Sequence, residues 1–177
     1  MSELWQGLLR AVQLIVSLDP EVMEITGRSL AIAATSCSMA TLICLPLGSL
    51  IHFNRFTGKR LLTNVIQSLY SVPTVAIGLF VFVFVSRAGP LGQLGIMFTP
   101  TAIVLGQVLL ISPILLGLTI SALSGVDKAI YETAVSLGAN RLQAMALTIR
   151  EARYAVLTAV IMGFGRAISE VGLSLMV

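Results

Sequence analysis

Charge is what this chain has least of. Only 11% of its 177 residues are charged, where a soluble domain carries about 25%. With 56% hydrophobic residues and a mean hydropathy of +0.97, the composition is that of an integral membrane protein. The chain has one histidine, His52, and two cysteines, Cys37 and Cys44. That leaves nothing to build a cysteine–histidine zinc cluster, so no metal site is expected. The two cysteines are separated by about 10 Å of predicted helix, too far for a disulfide, and read as small core residues. His52 falls at the predicted end of a span and reads as an interfacial residue. No G-x4-G-K-[ST] motif occurs, so ATP hydrolysis is not expected in this chain. The first apolar run is interrupted by Gln6, Arg10 and Gln13 and lacks a small-residue cleavage site, so it is not read as a signal peptide. The net charge of +3 requires no nucleic acid, because inward-facing loops of membrane proteins collect Lys and Arg.

What is present is a series of long apolar runs. Residues 4–18 are expected to form an interfacial helix, with Leu4, Trp5, Leu8, Leu9, Val12 and Ile15 on its apolar side; a short tilted span is the alternative. Asp19-Pro20-Glu21 is expected to end that helix. The first confident span, 26–51, is rich in Ala, Ser, Thr and Cys, which let helices approach closely in lipid. Pro46 and Gly48 predict a kink or a close packing point near its end. Arg55, Lys59 and Arg60 follow with no acid among them, which marks a cytoplasmic loop. The second span is 61–86. Ten strongly apolar residues within 72–85 contribute roughly −4 kcal/mol to insertion, against about +3 for one central Arg. Pro73 lies inside it, flanked by Ser71 and Thr74, whose hydroxyls can satisfy the carbonyl that a proline frees. The loop 88–99 carries no charge, which suits the outer face. The third span, 100–124, opens on Pro100 and is interrupted by Gln107, Ser112 and Pro113.

Residues 127–153, DKAIYETAVSLGANRLQAMALTIREAR, are the longest polar island in the sequence. Ile130, Ala134 and Leu137 fall at helical spacing. Gly138 suits the left-handed residue that closes a helix. Asn140 can cap a second helix with the stripe Leu142, Met145, Ala146 and Ile149. The island reads as helix, glycine turn, helix, on the same side as the first basic loop. The fourth span, 153–177, holds Arg166 and Glu170 at i,i+4, about 22 Å of helix beyond Glu151 and so well inside a hydrocarbon core. Such charges face protein or a water path; a buried pair that holds helices together is favoured over contact with a transported ion. Gly165 and Ser169 form a small-xxx-small pair on an adjacent face.

The island also carries a resemblance. Glu132-Thr133-Ala134, three residues, then Gly138 resembles the EAA-x3-G signature of ABC-importer permeases. Two departures stand: Thr133 replaces an alanine, and Ile149-Arg150-Glu151-Ala152-Arg153 replaces the usual Ile-x-Leu-Pro. REARY at 150–154, GFGRAISEVG at 163–172, SRAGPLG at 86–92 and FTPTAI at 98–103 resemble the tungstate-type branch, related to molybdate and sulfate permeases. The resemblance implies an all-α, polytopic transmembrane helix bundle of the type I ABC-importer permease fold, one permease domain over 1–177, with 125–152 as its cytoplasmic coupling segment. Type I permeases normally add a further span after this point, so a closing helix is expected beyond Val177.

By the same resemblance Tyr131, Glu132, Ala134, Gly138, Ala139 and Arg141 are expected to dock into an ABC ATPase subunit that holds the ATP and Mg; no cofactor is expected in this chain. The implied assembly is a permease homodimer in membrane lipid, two ATPase subunits and an external oxyanion-binding protein, in a bacterial or archaeal cytoplasmic membrane. Tungstate is the first substrate, with molybdate and sulfate behind it. A dianion is costly to desolvate, so hydroxyls and amides are the expected path: Thr35, Ser36, Ser71, Thr74, Gln107 and Ser112. For each, helix packing or backbone bonding is the commoner use. An ATP-independent secondary anion transporter is the rival reading, weakened because Glu170 is nearly alone among intramembrane acids.

Overall fold

The computed structural model describes residues 5–7, 9, 13 and 16–170. Leu4, Leu8, Val12 and Ile15 of the expected interfacial helix, and 171–177 of the fourth span, lie outside the described residues. Trp5 and Leu9, of that same helix, are exposed.

All regular structure among the described residues is helical. Helix α1 spans Pro20–Phe53. Asp19 caps it, its carboxylate accepting from the Glu21 and Val22 amides at 3.0 and 3.4 Å, and Pro20 takes the first helical position. The first helical segment ends at Val16, just before Asp19-Pro20-Glu21 as expected, and the same residues begin α1. An acceptor followed by proline suits a helix start, where backbone donors are orphaned. Thirty-four residues make about 51 Å of helix, so α1 outruns a hydrocarbon core of roughly 30 Å.

The expected second span is not one helix. α2 (Lys59–Ser68) passes through a short 3-10 turn (Leu69–Ser71) and meets α3 (Thr74–Val85) at a bend of 99°. Val72 at the bend is extended, with φ −66° and ψ 126°, because the ring of Pro73 disfavours helical backbone in the residue before it. The Pro73 carbonyl then starts α3 by accepting from the Ala76 and Ile77 amides. Twelve residues of α3 reach only about 18 Å. The span expected over 61–86 is thus corrected to a broken pair.

α4 (Pro100–Ser124) is the hub, packing on α1, α2, α3 and α7 (Arg153–Ile168). The faces that α1 and α7 bring to α4 are made of small residues, and α4 fills the space with Leu110, Ile111 and Leu115. α1 buries Ala33, Ser36, Cys37, Ala40, Cys44 and Gly48, a helical stripe. α7 buries Ala159, Gly163 and Ala167, every fourth residue. The large side chains point out: Leu42 is 76% exposed and Ile161 61%. That inversion belongs to lipid, where hydrophobicity does not drive helices together and close backbone approach does. A Cβ on Gly48 would lie 2.9 Å from Thr119 Cγ2, and one on Gly117 would meet the Tyr70 hydroxyl. The expected pair Gly165 and Ser169 lies on the exposed side of α7 instead; the buried stripe is offset from it by two residues. Both cysteines are free and buried, their thiols reaching the Val160 and Ser112 carbonyls at 3.6 Å.

Candidate functional site

Between α4 and α7 the chain makes a hairpin of two short helices, α5 (Lys128–Ser136) and α6 (Arg141–Glu151). Asp127 caps α5 by accepting from the Ala129 amide at 2.9 Å. Gly138 sits at φ +89°, left-handed. Its amide donates to the Val135 carbonyl and the Ala139 amide to the Ala134 carbonyl, both at 3.0 Å. These two bonds are a complete Schellman closure. Asn140 and Gln143 then cap α6 reciprocally, each side chain bonded to the other's amide at 2.9 Å. The amides of Leu137, Gly138, Ala139, Asn140 and Gln143 are thus each held by a local acceptor, which fixes the turn without a hydrophobic core of its own.

Of the six coupling residues expected, Ala134 is buried inside the hairpin, while Glu132, Gly138 and Arg141 are exposed. The turn projects Leu137 (84% exposed) and Leu142 (74%), two bare apolar side chains flanking Gly138 and Ala139. Tyr131 turns back and stacks on Phe53 at the end of α1, ring centroids 6.2 Å apart. Arg141 Nη2 donates to Asn54 Oδ1 at 2.8 Å. Sequence reasoning assigned Phe53 and Asn54 only to a basic loop; nothing in their local pattern marks them as partners of a segment so far along the chain. The contacts put the hairpin and the loop carrying Arg55, Lys59 and Arg60 at one end of the bundle, as the charge pattern requires. A cleft of ≈ 540 Å³ opens between them, lined in part by His52, Lys59, Asp127 and Tyr131.

The expected path residues do not gather in one place. The hydroxyls of Thr35, Ser36 and Ser112 donate to carbonyls one turn back in their own helices, those of Ala31, Ile32 and Val108. Those protons are committed to the backbone. Gln107 is buried, and its Nε2 donates to the Ala167 carbonyl at 3.2 Å. Ser71 and Thr74 stand on either side of the broken helix. Irregular backbone at membrane depth is tolerated where protein or a water-filled cavity satisfies it; at this break Ser71 and Pro73 are exposed and Thr74 is half-buried. Arg166 and Glu170 are 3.9 Å apart, with the Glu170 side chain 3% exposed. Glu170 shares a cavity of ≈ 260 Å³ with Ser29 and Gln107. Two buried polar atoms among the described residues have no partner, Gln107 Oε1 and Thr119 Oγ1.

Apolar helices packed through small faces, one broken at a proline, and a capped polar hairpin between two of them describe a multi-pass membrane transport component. The chain belongs to the family of binding-protein-dependent transport system inner membrane components, whose model matches residues 44–177. It is 40% identical over 172 residues to the tungstate uptake system permease protein TupB of Peptoclostridium acidaminophilum, covering 97% of this chain and 75% of that protein. It is 36% identical to a probable anion ABC transporter permease protein of Haloferax volcanii, covering 88% of this chain and 67% of that one. A molybdate/tungstate transport system permease protein, WtpB of Pyrococcus furiosus, is 29% identical, covering 90% and 62%.

Proposed function

We propose that this chain is the permease subunit of an ATP-driven importer for a tetrahedral oxyanion, with tungstate as its substrate. The observation that carries the reading is the hairpin: a rigid, doubly capped foot whose turn presents Leu137 and Leu142 away from the bundle. Such a foot fits the groove of a separate subunit by helix-in-groove docking. ATP binding and hydrolysis, with Mg, belong to that subunit, an ABC ATPase on the cytoplasmic side. An external binding protein delivers the dianion, and the chain works as a homodimer in a bacterial or archaeal cytoplasmic membrane. ATP-driven closure of the ATPases moves the feet and shifts the permeases between inward-open and outward-open states. The coupling is reciprocal: delivery of substrate also favours ATP closure.

The path is proposed to pass the broken helix, where Ser71, Thr74 and the freed backbone around Val72 and Pro73 offer weak, neutral partners to a dianion. Weak partners ease desolvation without holding the ion too tightly to release. Arg166 and Glu170 act as a structural pair. The similarity to a molybdate/tungstate permease supports molybdate as a second substrate, since both are tetrahedral dianions of one shape.

The test is reconstitution in proteoliposomes with the partner ATPase and the oxyanion-binding protein. Tungstate loaded on its binding protein is expected to stimulate ATP hydrolysis and to accumulate in the lumen. Accumulation driven by an ion gradient without ATP, or a purified chain that retains no ATPase, would overturn the reading.

A further inference from the structure

The foot is attached to the bundle in fewer places than its size allows. α5 and α6 pack chiefly on each other. The cleft of ≈ 540 Å³ separates them from the basic loop and the end of α4. Covalently, the hairpin hangs from α4 by residues 125–127 and from α7 by Ala152. Two side-chain contacts cross the gap, and they land on consecutive residues: Tyr131 on Phe53, and Arg141 on Asn54.

Those two residues are the last of α1 and its cap. Asn54 is held on every polar side. Its amide and its Nδ2 both donate to the Leu50 carbonyl, at 3.1 and 2.9 Å. Its carbonyl accepts from Lys59 Nζ at 3.3 Å, and that ammonium also holds the His52 carbonyl at 2.5 Å. The remaining acceptor, Oδ1, is the one Arg141 takes. A pull on Asn54 is therefore a pull on the closing turn of α1. From there the small stripe of α1 is packed against α4 and α7. A foot joined only at its two chain ends would pivot on them; a foot also gripped at α1 cannot move without moving that helix.

We infer that Tyr131 and Arg141 clasp the foot to the end of α1 through Phe53 and Asn54, and that this clasp is the route by which movement of the foot reaches the gate. It rests on the proposed function. These are positioning residues, and both kinds of contact suit the role. The ring pair contributes apolar contact and the charge-assisted bond contributes a directional link.

The experiment alters the α1 side, which leaves the foot's own surface untouched. Phe53→Ala/Asn54→Ala is compared with the unaltered chain for ATPase co-purification, binding-protein-stimulated hydrolysis, and tungstate uptake per ATP. The ATPase is expected to be retained and hydrolysis to persist, while uptake per ATP falls about tenfold, the size of one charge-assisted hydrogen bond. Phe53→Tyr, which keeps the ring on the α1 side, should behave as the unaltered chain. If the paired variant does not reach the membrane, Asn54→Ala alone is read by the same ratio. An unchanged ratio with the ATPase retained overturns the clasp, and so does loss of the ATPase from the α1 variant. An unaltered chain that binds no ATPase overturns the proposed function instead.

Discussion

The bundle and the foot are built by opposite rules. In the bundle, α1 and α7 bury small residues and turn large ones outward, packing against an α4 that buries Leu110, Ile111, Leu115 and Leu123 beside Gly106 and Gly117. In the foot, position is set by caps: Asp127, Gly138, Asn140 and Gln143 each close a backbone group that would otherwise be orphaned. The first is the solution for lipid, where packing distance is what can be gained. The second is the solution for water, where a short hairpin gains little from apolar burial and depends on its ends. The difference teaches which substitutions each region fears. The bundle should fail when a side chain grows; the foot should fail when a turn residue changes kind.

The largest expected effect is therefore on the bundle. Gly48→Leu puts its Cβ against Thr119, 2.9 Å from Cγ2 and 3.4 Å from the Leu116 carbonyl. Neither is the loose end of a long chain, so α1 and α4 must separate. The expected cost is about 3 kcal/mol, read as a fall in the unfolding midpoint in detergent. Thr119→Ala in the same chain should restore part of it. Leu42→Ala, on the lipid side of the same helix, should leave the midpoint nearly unmoved. Equal losses from the two α1 variants would break the contrast.

Next is Gly138→Ala. At φ +89° a Cβ costs about 1–2 kcal/mol, and the Schellman bonds hold the residue there. The bundle's unfolding midpoint should stay put while uptake per ATP drops several-fold. Asn140→Ala is smaller, about 1 kcal/mol of local stability. Hydrogen exchange should show it as faster exchange confined to the first turn of α6, with Asn140→Asp close to the unaltered chain.

The foot was readable in the sequence and the bundle's joints were not, for the same reason. Turn chemistry is local: glycine, then a capping residue two places on, fixes a geometry whatever lies nearby. Packing in lipid is not local. Gly165 and Ser169 carry the small-xxx-small spacing as well as Gly163 and Ala167 do, and the choice between them belongs to the helix that approaches. Pro73 predicts a disturbance, but a proline in a membrane helix is compatible with a slight kink or a break. The bend of 99° depends on Tyr70 and the 3-10 turn finding room on α4 at Gly117. The clasp joins residues 87 apart in the chain, with no periodicity to announce it. Asp19-Pro20 was legible but ambiguous, since the same pair closes one segment and opens the next.

The smallest prediction has the opposite sign. Thr119 is 1% exposed, and its hydroxyl lacks a partner among the described residues, although a helical threonine ordinarily bonds the carbonyl one turn back. Its Cγ2, by contrast, is the atom packed over Gly48. Thr119→Val keeps the methyl that fills the crossing and removes the unsatisfied group. If the residue is there for packing alone, the unfolding midpoint should rise, by about 1 kcal/mol of relieved desolvation, with transport unchanged. A midpoint that falls, or uptake that falls at a constant midpoint, would mean that the hydroxyl finds a water or a partner subunit at this crossing. The apolar packing face of α4 would then include a polar contact at its crossing with α1.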